Sequence, residues 1–175
     1  MMLRGTEVST THIVVMGISG SGKSTVAAGL VRATGYAFAE ADEFHPKANV
    51  AKMAAGHALN DQDRWPWLQA LADWMAERAQ EGTSTVMACS ALRRSYRDVL
   101  RSGAPGAGFV HVDGSAEVIR ERMNHRDGHF MPASLLDSQI ATLEPLQADE
   151  RGVVLDVAKS PEELVDEALA WLHQA

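Results

Sequence analysis

Eight residues, Gly17-Ile18-Ser19-Gly20-Ser21-Gly22-Lys23-Ser24, match the pattern G-x-x-x-x-G-K-[ST] in full and leave few folds open to the chain. Glycines in such a stretch let successive backbone N–H groups turn inward around an anion, and the helix that follows adds its positive end. Lys23 then reaches the β- and γ-phosphates of a nucleotide, and the Ser24 hydroxyl is a ligand for Mg²⁺. A glycine-rich turn can match by chance, so the flanks decide. Before it, Ile13-Val14-Val15-Met16 is short, apolar and largely β-branched, as in a strand buried on both faces. After it, Val26, Ala27 and Leu30 repeat at helical spacing from Lys23 to about Ala33. Both flanks are present. Gly17, Ser19, Gly20, Ser21, Gly22, Lys23, Ser24 and Thr25 are therefore the candidate nucleotide contacts.

The same alternation continues along the chain. Strands are predicted at 36–40, 83–88, 109–112 and 153–157. Helices are predicted over Asn49–Ala55, closed by Gly56, and over Trp65–Glu81 with Pro66 in the first turn. Further helices run from an N-cap at Ser90 to Arg101, from Ser115 to about Arg126, from Ser134 to a stop at Pro145, and from Ser160-Pro161-Glu162-Glu163 onward. Strands separated by helices imply an α/β fold: a parallel five-stranded sheet with helices on both faces. At 175 residues this is one domain, expected over 11–175 behind a flexible tail at 1–10.

A net charge of −7 argues against nucleic acid or an anionic membrane as partner, though a few basic side chains in one cleft still suffice for a small anion. No apolar run approaches the roughly 20 residues of a membrane span, and the first ten lack a signal-peptide core. The single Cys89 excludes an intrachain disulfide and fits a reducing, cytoplasmic setting. Between strand and helix it reads as a small buried hydrophobe. The tryptophans at 65, 67, 74 and 171 fall in helices and read as core or interface residues.

Ligands of an open parallel sheet sit beyond the carboxyl ends of its strands. Glu40 and Asp42 follow the second strand there, so one can hold Mg²⁺, directly or through a water, and the other can take a proton. A polar β–α loop would look the same on spacing alone. Arg93, Arg94 and Arg97 lie one turn apart after the third strand, a pattern shared by anion sites and solvated helix faces. His125 and His129 have the i, i+4 spacing of a metal pair, but Gly128 and Pro132 break the helix such a pair needs.

Longer stretches are more specific. They are Glu40-Ala41-Asp42-Glu43-Phe44-His45-Pro46, Asn49-Val50-Ala51-Lys52-Met53, Leu59-Asn60-Asp61-Gln62-Asp63-Arg64-Trp65-Pro66-Trp67-Leu68, Ala88-Cys89-Ser90-Ala91-Leu92-Arg93-Arg94-Ser95-Tyr96-Arg97-Asp98, Gly128-His129-Phe130-Met131-Pro132 and Leu135-Leu136-Asp137-Ser138-Gln139. With them, and in order from about residue 13 to 165, the chain resembles the gluconokinases of the shikimate-kinase-like branch of phosphate-loop kinases. It departs from that pattern at Ala41, where the family usually has Gly.

The resemblance implies transfer of the γ-phosphate of ATP, with Mg²⁺, to the 6-hydroxyl of D-gluconate. It implies Lys23, Asp42 and Arg126 as catalytic residues, Asp42 being the base. Arg64, first, and then Arg93 and Arg97 are the expected cations for the substrate carboxylate, and His45 and Lys52 the groups for its hydroxyls. Ser24 and Glu40 are the expected metal residues. A lid at about 123–133 is expected to bring Arg122 to the adenine and Arg126 to the phosphoryl group. A homodimer is expected on the same ground. The phosphate loop and fold also suit shikimate, adenylylsulfate or a nucleoside monophosphate as acceptor, or a nucleotide sensor with no acceptor.

Overall fold

The computed structural model describes residues 9–18, 21–124 and 133–174. Five strands, β1 (His12–Met16), β2 (Ala37–Glu40), β3 (Thr85–Ala88), β4 (Gly108–Asp113) and β5 (Gly152–Asp156), form one sheet in the order β2-β3-β1-β4-β5. Every pairing is parallel. The central β1 alternates its apolar residues between two cores. Ile13 and Val15 pack with Val26 and Leu30 of α1 (Lys23–Thr34) and with Leu164 and Ala168 of α7 (Pro161–Gln174). Val14 and Met16 pack on the other face with Leu68, Leu71 and Met75 of α3 (Asp61–Gln80) and with Leu100 of α4 (Arg94–Gly103). Burying both faces of one strand is what demands a helix layer on each side.

Close helix contact is set by glycine. A Cβ at Gly103 would lie 2.0 Å from the Ala72 carbonyl oxygen, so α4 can meet α3 there only without a side chain. The remaining helices are α2 (Lys47–Ala54), α5 (Ala116–Asn124) and α6 (Ala133–Thr142), with a 3₁₀ turn at Ala41–Phe44. The N-caps expected at Ser115 and Ser160 form: each hydroxyl accepts the backbone N–H three residues on, Val118 and Glu163, at 3.2 Å. Cys89 is buried, and burial pushes its thiol up to about 12. No helix among the described residues is long and apolar enough to cross a membrane.

Two helix starts differ from the sequence expectation. Helix α3 begins four residues before Trp65, at Asp61, because Asn60 and Asp63 form a reciprocal capping box. The Asn60 side chain accepts the Asp63 N–H at 2.8 Å and the Asp63 carboxylate accepts the Asn60 N–H at 2.9 Å. Pro66 consequently lies inside the helix. Helix α4 begins at Arg94, not after Ser90, since Ala91 takes a left-handed backbone (φ +46°) that interrupts any helix through it. The first N–H of α4, that of Arg94, is met by the Glu144 carboxylate at 2.7 Å, a partner fifty residues away.

Candidate active site

The phosphate loop leaves the end of β1 and turns into α1. Gly22 caps the helix with φ +96°, a conformation easy only for glycine, and no described side chain caps its first turn. The N–H groups there are left for an anion. Gly17 is fixed by space: a Cβ would come 2.6 Å from the Val112 carbonyl oxygen and 2.8 Å from Ser21 Oγ. Ser21 Oγ is buried with no hydrogen-bond partner among the described residues. Lys23 Nζ donates to the Gly17 carbonyl at 3.1 Å, folded back over the loop. An uncapped helix start, a folded-back ammonium and an unmatched hydroxyl suit a polyphosphate. Ser19 and Gly20 lie outside the described residues, and Thr25 is exposed one residue beyond Ser24.

Beside the loop, at the end of β2, Ser24 Oγ donates to Glu40 Oε2 at 3.3 Å. Burial and the neighbouring Asp42 carboxylate raise the Glu40 carboxyl above its ordinary range, against the pull of Ser24, the Asp42 N–H and Lys23. Two hard oxygens, with a carboxylate that gains from a nearby positive charge, fit a Mg²⁺ ion that takes its remaining ligands from phosphates and water. Asp42 is exposed at the start of the 3₁₀ turn. The alanine between the acids fits without strain. Ala41 is buried in the α3-side core, its φ is not left-handed, and its carbonyl accepts Trp67 Nε1–H at 2.7 Å.

His45 comes next. Its ring stacks on Trp67 at 4.3 Å, and its Nδ1 lies 3.3 Å from Asn49 Nδ2. That amide nitrogen also donates to the Asp63 carbonyl at 2.8 Å, which can only accept, so the amide group faces His45 as a donor. His45 Nδ1 is then the acceptor, and Nε2 carries the proton. Burial, with Arg64 adding to it against Asp42, lowers the His45 pKa and keeps the ring neutral. Lys52 Nζ bonds Asp63 at 2.6 Å, tying α2 to the start of α3.

Arg64 and Arg93 converge on Asp61, a residue that sequence reasoning passed over. Their Nη1 atoms lie 3.5 Å and 3.4 Å from its two carboxylate oxygens, and Tyr96 donates its hydroxyl to the same group. Arg64 Nη1 also donates to Tyr96 Oη at 3.1 Å. Asp61 and Tyr96 are thirty-five residues apart, and only the packing of α3 on α4 joins them. Asn49, Trp67 and Tyr96 are likewise unassigned by the sequence, although each lies within a stretch that carried the resemblance.

Arg97 does not join this group. Its side chain is 0% exposed and bonds Glu150 through Nε at 2.7 Å and Nη2 at 3.0 Å, so it cannot reach a ligand in the cleft as the sequence suggested. Arg94 also turns away, to Asp149 and Asp98. Arg122 falls in α5, as do Met123 and Asn124 at the start of the lid expected at about 123–133, and Ala133 begins α6; the Arg122 side chain and residues 125–132, with Arg126, His125 and His129, lie outside the described residues.

A family model described as an AAA domain matches residues 13–146. The chain is 47% identical to a gluconokinase of Gluconobacter oxydans (strain 621H), over 90% of this chain and 88% of that protein. Among solved structures, a sugar kinase from Janibacter sp. HTCC2649 is similar at 59% identity and TM-score 0.90, covering 94% of this chain and 95% of that one. A gluconokinase from Sinorhizobium meliloti 1021 is similar at 51% identity and TM-score 0.86, covering 94% and 92%. Similarity this close over nine-tenths of the chain makes it a member of the gluconokinase family.

Proposed function

We propose that this protein transfers the γ-phosphoryl group of ATP to the 6-hydroxyl of D-gluconate, giving 6-phospho-D-gluconate and ADP. One observation supports the reading beyond the family name: His45, three residues after Asp42, stacks on Trp67 and is linked through the Asn49 amide to the carbonyl of Asp63, the residue before Arg64. A proton acceptor beside the phosphate loop and a cation farther along the same wall match a substrate with an alcohol at one end and a carboxylate at the other.

ATP lies along the loop with its phosphates at the start of α1, and Lys23 leaves the Gly17 carbonyl to offset their charge. Ser24 and Glu40, the latter directly or through a water, would hold Mg²⁺, which would supply positive charge against that of the β- and γ-phosphates. Asp42 orients the 6-hydroxyl and takes its proton as the oxygen attacks phosphorus and the bond to the ADP oxygen breaks. His45 Nε2–H and Lys52 serve the hydroxyls in between. Arg64 and Arg93 take the carboxylate, which they approach already aligned by Asp61. A lid bearing Arg122 and Arg126 completes the nucleotide side. The same reading includes a cytoplasmic homodimer, in keeping with a lone, buried Cys89.

The test is ADP release by the purified protein with MgATP, with and without D-gluconate. ADP that depends on gluconate, with 6-phosphogluconate as product, is the expected result. ADP release that ignores gluconate overturns the acceptor, and shikimate, adenylylsulfate and nucleoside monophosphates are then the compounds to try.

A further inference from the structure

The Arg97–Glu150 pair has no exposed side-chain area on either partner (0% and 0%). Burying two charges is costly, and apolar residues of the same volume often stabilise a core as well or better. What the pair holds is therefore the informative question.

Besides Glu150, the Arg97 guanidinium donates from Nη1 to the Ala91 carbonyl at 2.9 Å and from Nη2 to the Pro145 carbonyl at 3.3 Å. Ala91 is the one non-glycine residue with positive φ among those described. An L-residue in that conformation is disfavoured unless its surroundings hold it. Glu150 is itself held by Arg101 Nη1 at 2.9 Å and the Gln147 N–H at 3.1 Å. Nearby, Glu144 closes the same turn, its N–H donating to the Leu92 carbonyl at 2.6 Å while its carboxylate accepts the Arg94 N–H. The segment at 144–150 and Arg97 together form a frame around residues 91–94.

The upstream side of that turn is secured separately. Cys89 N–H donates to the Val15 carbonyl at 3.0 Å, and Gly17 N–H to the Ser90 carbonyl at 3.3 Å. Downstream, Leu92 and Arg94 are held by Glu144, whose neighbour Pro145 is itself gripped by Arg97, so the freedom released by loss of Arg97 would fall on Leu92 and Arg93. Arg93 is the N-cap residue of α4 and points its guanidinium to Asp61.

We infer that Arg97 is a positioning residue for the acceptor end of the site: anchored on Glu150, it holds the Ala91 carbonyl in the left-handed turn and so aims Arg93. The inference rests on the reading of Arg93 as a ligand of the substrate carboxylate.

The experiment measures kcat, both KM values and Tm for the full chain and for Arg97→Lys, Arg97→Met, Ala91→Gly and the Arg97→Lys/Ala91→Gly pair. Lysine keeps a positive charge against Glu150 but lacks the fork that also spans to Ala91, so it separates the hold on the turn from burial of the charge. Arg97→Lys is expected to raise the gluconate KM about tenfold while the ATP KM changes less than about twofold. Ala91→Gly alone is expected to shift neither KM by more than about twofold, since glycine takes the left-handed turn unaided. In the pair it is expected to return the gluconate KM to within about threefold of the unsubstituted chain.

A lower Tm with an unmoved gluconate KM in either Arg97 variant overturns the positioning role and leaves a purely structural one. A raised KM that Ala91→Gly does not restore also overturns it. Should the unsubstituted chain show no gluconate-dependent ADP release, the acceptor reading itself fails, and the role given to Arg93 fails with it.

Discussion

Trp67 Nε1–H donates to the carbonyl of Ala41 at 2.7 Å, and this bond joins the buried face of α3 to the one residue between Glu40 and Asp42. The indole is almost wholly buried, so the carbonyl has no access to water in exchange. The two carboxylates at the end of β2 are thereby set on a backbone that a helix twenty-six residues downstream keeps in place. The other face of the same indole carries His45. One side chain supports both the acid pair and the adjoining histidine.

Trp67→Phe keeps an aromatic ring and removes the donor. Leaving the Ala41 carbonyl buried and unpaired should cost about 1–3 kcal/mol of stability, read as a lower urea midpoint at unchanged slope. An unaltered midpoint would show that the bond contributes nothing net.

Asp42, the proposed base, is exposed in the 3₁₀ turn, two residues beyond the Glu40 that Ser24 bonds. Asp42→Asn should lower turnover by about 10²- to 10⁴-fold while the ATP dissociation constant stays within about twofold. Turnover near that of the unsubstituted chain would remove Asp42 as the base.

Glu40 carries a raised carboxyl pKa, mainly through burial and then through Asp42. The folded state therefore holds this proton more tightly than the unfolded chain, and the charged form at neutral pH is a destabilising term that disappears as pH falls through the raised value. Glu40→Gln should raise Tm at neutral pH by on the order of 2 °C, lose that gain in acid, and weaken the Mg²⁺ dependence of turnover. Melting curves at two pH values decide it: an equal gain at both would point to shape instead of charge.

Glu150 runs the other way. Burial pushes its carboxyl up, but hydrogen bonds from Arg97, the Gln147 N–H and Arg101 outweigh that and hold it at about 2, below its ordinary 4.5. Its contribution to stability is complete above 4.5 and is lost as pH falls from there toward about 2. Glu150→Gln, which leaves the buried Arg97 charge uncompensated, should cost about 3–5 kcal/mol near neutrality. The gap between the two proteins should narrow below pH 4.5, and urea titrations at several pH values would reveal a gap that does not.

The phosphate loop, the strand before it and the helix after it were legible because their determinants are local. Glycine at a left-handed position, an apolar run, and a stripe at helical spacing each act within a few residues, and the α/β alternation follows by the same kind of reading. The start of α3 was equally local, since Asn60 and Asp63 cap it between themselves, four residues before the first-turn position that Pro66 suggests. The start of α4 was not local. Ser90 looks like a cap, yet Ala91 is left-handed with its carbonyl bonded by Arg97, and Glu144 supplies the acceptor that a nearby serine was expected to provide.

The arginines show the same division. On spacing alone Arg93, Arg94 and Arg97 are three cations on one helical stretch, and the family resemblance put Arg93 and Arg97 forward together. The fold sends Arg93 to the cleft with Arg64, Arg94 to the surface acids and Arg97 into the protein, because their partners Asp61, Asp149 and Glu150 come from other elements. By itself the sequence determined a phosphate loop set between a buried strand and a helix of a parallel sheet, since that loop needs only its own residues and their immediate flanks. Which charges gather at the candidate site and which are spent inside was decided by tertiary structure alone, since a charge's role depends on the partner that packing brings within about 4 Å of it.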